Sequence, residues 1–324
     1  MRQATRVAEA ETESGLATGT SGIAVVGPTA TGKTALAVRI ALRLGPAELI
    51  NADSRQVLRG LRVGTNAPTP SDLGGVPCHL LAIADPGEAF SVADWLVAAR
   101  RCVGDLTRRG VRPILVGGTG LYVRALLDGF DLAGGPPDPA RRSSLNARAA
   151  TPEGLDALAG ELRRADPEAA ATVDPRNPRR VVRALEIVAE RGSLAARTRD
   201  GAGAVWVRVG LDAAAPLHRR WIAERAGAML DSGLLDETRE ALSRGVAAAA
   251  LDGSGIGYRE ALEVLAGRSS AAEATLEIVR RTLHYAKAQR TWFRADPRVT
   301  WLRRERDDDL DELVGALLTA APVR

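Results

Sequence analysis

Cysteine is nearly absent from this 324-residue sequence: there are two, Cys78 and Cys102, and neither stands in a C-x-x-C pair or beside clustered histidines. That argues against a disulfide framework and a structural zinc, and makes a reducing cytoplasm the expected setting. No stretch approaches the roughly 20 unbroken apolar residues that a membrane span requires. The opening "MRQATRVAEAETESGLATGTSG" lacks the continuous apolar core of a secretion signal, and residues 1–21 read as a disordered leader. Lysine is also scarce. Only Lys33 and Lys287 occur among 44 basic residues, which leaves 42 arginines. Against 40 acidic residues the net charge is +4, which by itself is weak ground for a nucleic-acid partner.

The scarcity of lysine makes Lys33 conspicuous. It stands in "GPTATGKT", residues Gly27, Pro28, Thr29, Ala30, Thr31, Gly32, Lys33 and Thr34, which fits the phosphate-binding pattern G-x-x-x-x-G-K-[ST]. A compact ammonium reaches phosphates where a planar guanidinium is too large. Ile23 to Val26 form an apolar run into Gly27, and Leu36, Ile40 and Leu44 recur at helical spacing after Lys33. The loop is therefore expected at a helix N-terminus, with free backbone N–H groups facing an anion.

Further strand and helix units follow: "AELINADSRQ", "VADWLVAARRCVGDLTRRG" and "RPILVGGTGLYVRALLDG". Their alternation implies an α/β fold, a P-loop NTPase-like parallel sheet flanked by helices. Thr29, Asp53 and Thr119 are then expected along the rim beyond the strand ends. Residues 131–203 lack strand signals and read as an all-helical, arginine-rich insertion. A core strand is expected to return over 205–211, and the remainder reads as helical. The catalytic core is thus residues 22–130 and 204–324.

Several residues could carry chemistry. The amides of Thr29 to Thr34 would cradle a diphosphate, Lys33 would neutralise it, and the Thr34 hydroxyl would hold Mg²⁺. Asp53 is either a general base or a helix cap or turn residue. The glycines of "VGGTG" permit close approach of a substrate backbone or flat ring, or make a bare tight turn, and no carboxylate ends this strand. Arg179, Arg180 and Arg183 could bind polynucleotide phosphates or form a solvated face.

In order, "GPTATGKTALA", "ELINADSRQ", "VGTNAP", "FSVADW", "PILVGGTGLYVRALLDG", "RRVVRALEI", "GIGYREAL" and "YAKAQRTWFR" resemble the tRNA dimethylallyltransferases. The resemblance implies a cytoplasmic, Mg²⁺-dependent prenyltransferase, expected to be monomeric. It would move a dimethylallyl group from dimethylallyl diphosphate to N6 of the adenosine 3′ to the anticodon, position 37, in tRNAs reading codons that begin with U. On this reading the P-loop holds a leaving group and no phosphoryl group moves. Asp53 matches the family's general base, Thr29 a P-loop threonine near the reacting groups, and Arg225 an arginine that binds the diphosphate. Asp53, Ser54, Arg55, Gln56, Thr119, Arg142, Arg179, Arg180, Arg183 and the segment containing Gly257, Tyr258 and Arg259 would face the anticodon stem-loop. Leu58, Ala67, Cys78, Ala82, Trp221, Leu283 and Ala288 depart from the residues common in the family. Two other readings stay open: a relative that prenylates a free adenine nucleotide or other small amine, and a P-loop kinase of a small molecule.

Overall fold

The computed structural model describes residues 22–129, 138–193 and 206–320, so the expected leader lies outside the described residues. The chain divides into two compact units, one of Met1–Leu127 with Ala202–Arg324 and the other of Asp128–Gly201.

Among its described residues the first unit has six strands: β1 (Gly22–Val26), β2 (Ala47–Asn51), β3 (Cys78–His79), β4 (Arg112–Gly117), β5 (Trp206–Ala213) and β6 (Val299–Arg304). They form one sheet in the order β3-β2-β4-β1-β5-β6, and every pairing is parallel. Central β1 is buried along its whole length and lies between β4 and β5, with Ile23 opposite both Ile114 and Val207. A strand covered in this way reads as a continuous apolar run, and "GIAVV" does. Ile23, Val25, Ile114, Val116, Val209 and Leu211 pack with Leu36 and Ile40 of the helix Lys33–Leu44 and Val314 and Leu317 of the helix Leu310–Ala320.

The returning strand runs to Ala213 rather than 211, and residue 205 lies outside the described residues. The expectation that everything after it is helical is wrong, because β6 pairs with β5 from Arg208↔Val299 to Ala213↔Arg304. Two-residue β3 was also missed.

A separate apolar cluster underlies the helices that follow β5. Ala226, Met229, Leu234, Leu251, Tyr258 and Ile278 are among its buried members.

Among its described residues the second unit has four helices, Pro139–Arg148, Pro152–Ala165, Pro167–Thr172 and Pro178–Arg191. Each starts with proline, whose missing N–H costs nothing in a first turn. The preceding Asp138, Thr151, Asp166 and Asn177 each accept a hydrogen bond from a first-turn amide, so sequence sets all four starts. Leu158, Leu162, Val181, Val182 and Leu185 form its core.

Candidate active site

All parallel strands point the same way, so the turns after β1, β2 and β4 meet beyond one edge of the sheet, where such folds bind ligands. The turn after β1 is the phosphate-binding loop. Gly27 has a φ of 134°, and a Cβ there would lie 2.4 Å from the Leu211 carbonyl oxygen of β5, so only glycine fits. Gly32 begins the helix Lys33–Leu44 without a side-chain cap, which leaves its first amides open to an anion. Thr31 is buried, and its hydroxyl donates to the Pro28 carbonyl at 2.9 Å.

A cavity of about 850 Å³ opens in front of the loop. Thr29, Ala30, Gly32, Lys33, Thr34, Asp53 and Arg225 all line it. Gly27, Pro28 and Thr31 are not part of its wall. Arg225, on the helix Ala215–Asp231, donates from Nη1 to the Thr29 hydroxyl at 2.8 Å. Burial lowers the pKa of the Lys33 ammonium to about 8: Asp53 pulls it upward without outweighing the lost hydration, and Arg225 pushes it further down. Lys33 borders the cavity, yet protein encloses it on its other sides. Burial likewise lowers Arg225, against the pull of Asp53. Two cations and one carboxylate therefore act on each other across this space. Apolar side chains also line the cavity: Val63, Ile222, Met229, Ile256 and Ile278.

Asp53 follows β2 in a turn built by its neighbours. Asn51 Oδ1 accepts from the Asp53 amide at 3.1 Å, Asn51 Nδ2 donates to the Asp53 carbonyl at 3.2 Å, and Asp53 Oδ1 accepts from the Arg55 amide at 2.9 Å. The carboxylate thus has a turn-residue role and also faces the cavity with its other oxygen unaccounted for among these bonds. Thr119, after β4, accepts from the Ser54 amide at 2.9 Å and donates to the Ser54 hydroxyl at 3.2 Å, tying two strand-end turns together. It is not in the cavity wall. The glycines beside it admit this chain's own side chains instead of a ligand. A Cβ on Gly118 would lie 2.2 Å from Gln289 Nε2, and one on Gly120 2.1 Å from the Trp292 indole nitrogen.

The distant motifs "VGTNAP" and "GIGYREAL" meet in the cavity wall. Glu237 accepts from the amides of Arg62, Val63 and Gly64 at 2.6, 2.8 and 3.1 Å, and from the Tyr258 hydroxyl at 2.7 Å. Tyr258 is fully buried, and a Cβ on Gly64 would lie 2.4 Å from its ring. The expectation that Tyr258 faces an RNA is corrected: its side chain is core, and its hydroxyl completes the capping of the turn Arg62–Thr65. Burial, reinforced by Glu237, raises the pKa of that hydroxyl. Arg259 is exposed but paired with Asp252 at 2.7 and 2.8 Å. Gln56 donates to the Asn66 carbonyl at 2.9 Å, and Arg55 to that of Gly253.

These features assemble an anion cradle, a carboxylate and an apolar wall around one space. A family profile described as IPP transferase matches residues 56–296, and one described as isopentenyl transferase matches residues 22–81. The chain belongs to the IPP transferase family. It is 43% identical over 288 residues to tRNA dimethylallyltransferase 1 of Pelobacter propionicus, covering 86% of this chain and 91% of that protein. It is 44% identical over 283 residues to tRNA dimethylallyltransferase of Streptomyces coelicolor, covering 86% and 89%. The crystal structure of the full-length tRNA isopentenylpyrophosphate transferase of Bacillus halodurans superposes with a TM-score of 0.67 at 37% identity, over 93% of this chain and 96% of that one.

Two features of this family member were not legible in its sequence. Trp221 lies under the Arg304 guanidinium at 4.2 Å and donates to Asp307 at 2.6 Å. Arg304, at the end of β6, is buried, bonded to Asp309 at 2.8 Å, and lines the cavity behind Gly32. Both cysteines are held as protonated thiols near neutrality: burial pushes Cys78 up to about 12 and Cys102 up to about 11.

In the second unit the arginines divide. Arg142 makes two bonds of 2.7 Å to buried Glu186, and Arg183 a third of 3.1 Å. Burial opposes ionisation of Glu186, but these hydrogen bonds prevail and hold its pKa below the ordinary value. Arg179 and Arg180 are exposed and have no ion pair among the described residues.

Proposed function

We propose that this chain transfers a dimethylallyl group from dimethylallyl diphosphate to N6 of the adenosine 3′ to the anticodon, position 37, in tRNAs reading codons that begin with U. The observation that carries this reading is the cavity itself, whose lining brings together Lys33, Arg225, the loop, Asp53 and a set of apolar side chains. The N6–C1 bond forms as the C1–O bond breaks, and the diphosphate leaves with the electron pair. The loop amides, Lys33 and Arg225 would stabilise that departing charge, being already oriented before the reaction. An exocyclic adenine amine is a weak nucleophile because its lone pair is delocalised into the ring. Asp53 would take its proton as the new bond forms. Thr29, held by Arg225, would sit beside the reacting groups. The target base must leave the anticodon stack, at a cost of a few kcal/mol.

The cavity wall fits Mg²⁺ as partner of the diphosphate. The Thr34 hydroxyl is a hard oxygen at the wall. No group of three His, Cys, Asp or Glu among the described residues makes a cage. The other ligands would be diphosphate oxygens and water, as Mg²⁺ favours. When bound, it would add positive charge against the leaving group.

The anticodon stem-loop would be gripped by Ser54, Arg55, Gln56, Thr119, Gly257 and Arg259 on the core and by the Asp128–Gly201 unit. There, exposed Arg179 and Arg180 would meet phosphates while Arg142 and Arg183 keep the unit folded. No described helix is long and apolar enough to cross a membrane, and the enzyme would act as a monomer in the cytoplasm.

The test is incubation of the protein with Mg²⁺, labelled dimethylallyl diphosphate and unmodified tRNA, beside adenosine monophosphate as the alternative acceptor and ATP as the alternative donor. Label in tRNA at the expected adenosine is the supporting outcome. Label in adenosine monophosphate alone, or phosphate transfer from ATP, would replace this reading with one of the others.

A further inference from the structure

Within the phosphate-binding loop, Thr29 is held from outside at all three of its polar groups. Its amide donates to Gln289 Oε1 at 2.8 Å, its hydroxyl accepts from Arg225 at 2.8 Å, and its carbonyl oxygen lies 2.8 Å from His218 Nε2. Gln289 is itself fixed, because its Nε2 donates to the Gly118 carbonyl at 2.9 Å. The carbonyl contact matters most for loop shape, since the next residue, Ala30, has a φ of 60°. A non-glycine residue pays roughly 1–2 kcal/mol for that left-handed conformation and needs its surroundings to impose it. Fixing the Thr29 carbonyl fixes the plane of the Thr29–Ala30 peptide and aims the Ala30 N–H the opposite way.

The other nitrogen of His218 settles which proton the ring carries. Nδ1 lies 3.1 Å from Arg290 Nη2. A guanidinium can only donate, so Nδ1 is the bare acceptor and the proton sits on Nε2, where it is donated to Thr29. Arg290 is in turn held by Asp212 in β5, with Nε 2.8 Å from Oδ2 and Nη2 2.8 Å from Oδ1. His218 is buried. Burial is the main influence opposing a charged ring, Arg290 and Lys33 oppose it as well, and Asp212 and the Thr29 carbonyl favour it. The balance holds its pKa below the ordinary histidine value.

We propose that His218 is a positioning residue for the diphosphate loop: in the Nε2–H tautomer imposed by Arg290, it holds the Thr29 carbonyl and so keeps the loop shaped for the ligand. His218 touches no reacting atom. The inference rests on the reading of the cavity as a diphosphate site, and deepens it.

Three measurements test it, using the full chain. With three histidines in the sequence, ¹⁵N spectra of the imidazoles can be assigned by comparison with His218→Gln. The His218 ring is expected neutral at pH 7 and protonated on Nε2; a proton on Nδ1 overturns the proposal. Second, His218→Phe keeps bulk but no hydrogen bond. It should weaken binding of inorganic pyrophosphate, and raise KM for dimethylallyl diphosphate, by at least about tenfold with KM for tRNA unchanged. His218→Gln, whose amide can still donate to Thr29 and accept from Arg290, should recover most of that loss. If His218→Phe is folded and binds pyrophosphate as the wild type does, or if Gln is no better than Phe, the proposal fails. Should His218→Phe not fold, the tautomer and His218→Gln still decide. A wild-type protein that binds pyrophosphate but does not prenylate tRNA would refute the proposed function, while the spectra and pyrophosphate affinities would still judge His218.

Discussion

Lys33 Nζ donates to the Pro28 carbonyl at 2.7 Å, so the one lysine of the loop is folded back on the loop's own backbone. With the pKa lowered to about 8, chiefly by burial, the ammonium is held at a cost until an anion joins it. A bound diphosphate raises that pKa, so the complex takes up a proton. Donor affinity should be full below about pH 8 and fall by up to tenfold per pH unit above it. Calorimetry of dimethylallyl diphosphate binding in buffers of different ionisation enthalpy reads the uptake directly. Equal affinity at about pH 7 and about pH 9, with no proton uptake, would contradict this account.

The same lysine opposes stability. Between about 8 and the unperturbed 10.5 the unfolded chain binds more protons at this site than the folded one, so the free protein should gain stability as pH rises through that window. Lys33→Met is expected to melt no lower than the wild type near neutrality, yet to lose pyrophosphate binding by about a hundredfold or more, the pattern of a residue kept for function. A variant that melts far lower would show that the bond to Pro28 outweighs the burial.

Asp53 has two jobs that one substitution can separate. Its Oδ1 accepts the Arg55 amide, which an asparagine oxygen can also do. Asp53→Asn should therefore fold and bind the donor normally while turnover drops by about 10²–10⁴-fold, the usual worth of a general base. Asp53→Ala should lose as much turnover and some local order besides. Near-normal single-turnover rates in the Asn variant would leave Asp53 with the turn alone.

How much of this was readable beforehand depended on whether the partner of each residue lay nearby. The loop and the strands β1, β2 and β4 showed because glycine conformations, apolar runs and helical periodicity are local. The four helix starts of the insertion were written as Asp-Pro, Thr-Pro and Asn-Pro pairs. By contrast, Thr29 meets His218 and Gln289 from 189 and 260 residues away, and no spacing announces such contacts. β6 was hidden because "VTWLRR" ends in arginines, one of which, Arg304, turns inward to Asp309. Nor does the sequence show what approaches the glycines of "VGGTG": the Ala52 backbone at Gly117, Gln289 at Gly118 and Trp292 at Gly120.

A pair of glycines separates packing from propensity. At Gly64 a Cβ would lie 2.4 Å from the buried Tyr258 ring, and Gly64→Ala should cost about 1–3 kcal/mol, as overpacking does. At Gly104, inside the helix Val92–Arg108, a Cβ meets nothing within 4 Å. Gly104→Ala should stabilise by about 0.5–1 kcal/mol, because alanine loses less backbone freedom on folding. Denaturant unfolding of both variants reads the signs, and a stabilised Gly64→Ala would show that the wall around Tyr258 yields easily.

The two kinds of arginine in the Asp128–Gly201 unit should fail differently. Arg142→Ala leaves buried Glu186 with Arg183 as its remaining partner, which should destabilise the protein by roughly 1–3 kcal/mol, the cost of an under-satisfied buried acceptor. Tightness of tRNA binding by the molecules still folded should change little. Among the described residues, Arg179→Ala with Arg180→Ala touches neither an ion pair nor the core, so the melting temperature should hold. What should change is the salt dependence of tRNA binding: for each phosphate that is no longer neutralised, the slope of log K against log salt becomes shallower by about 0.7–0.9. Filter binding across a salt series, read beside melting curves, distinguishes the cases. An unchanged slope in the double variant would remove Arg179 and Arg180 from the RNA surface, and a reduced slope in Arg142→Ala would show that this ion pair opens to meet the RNA.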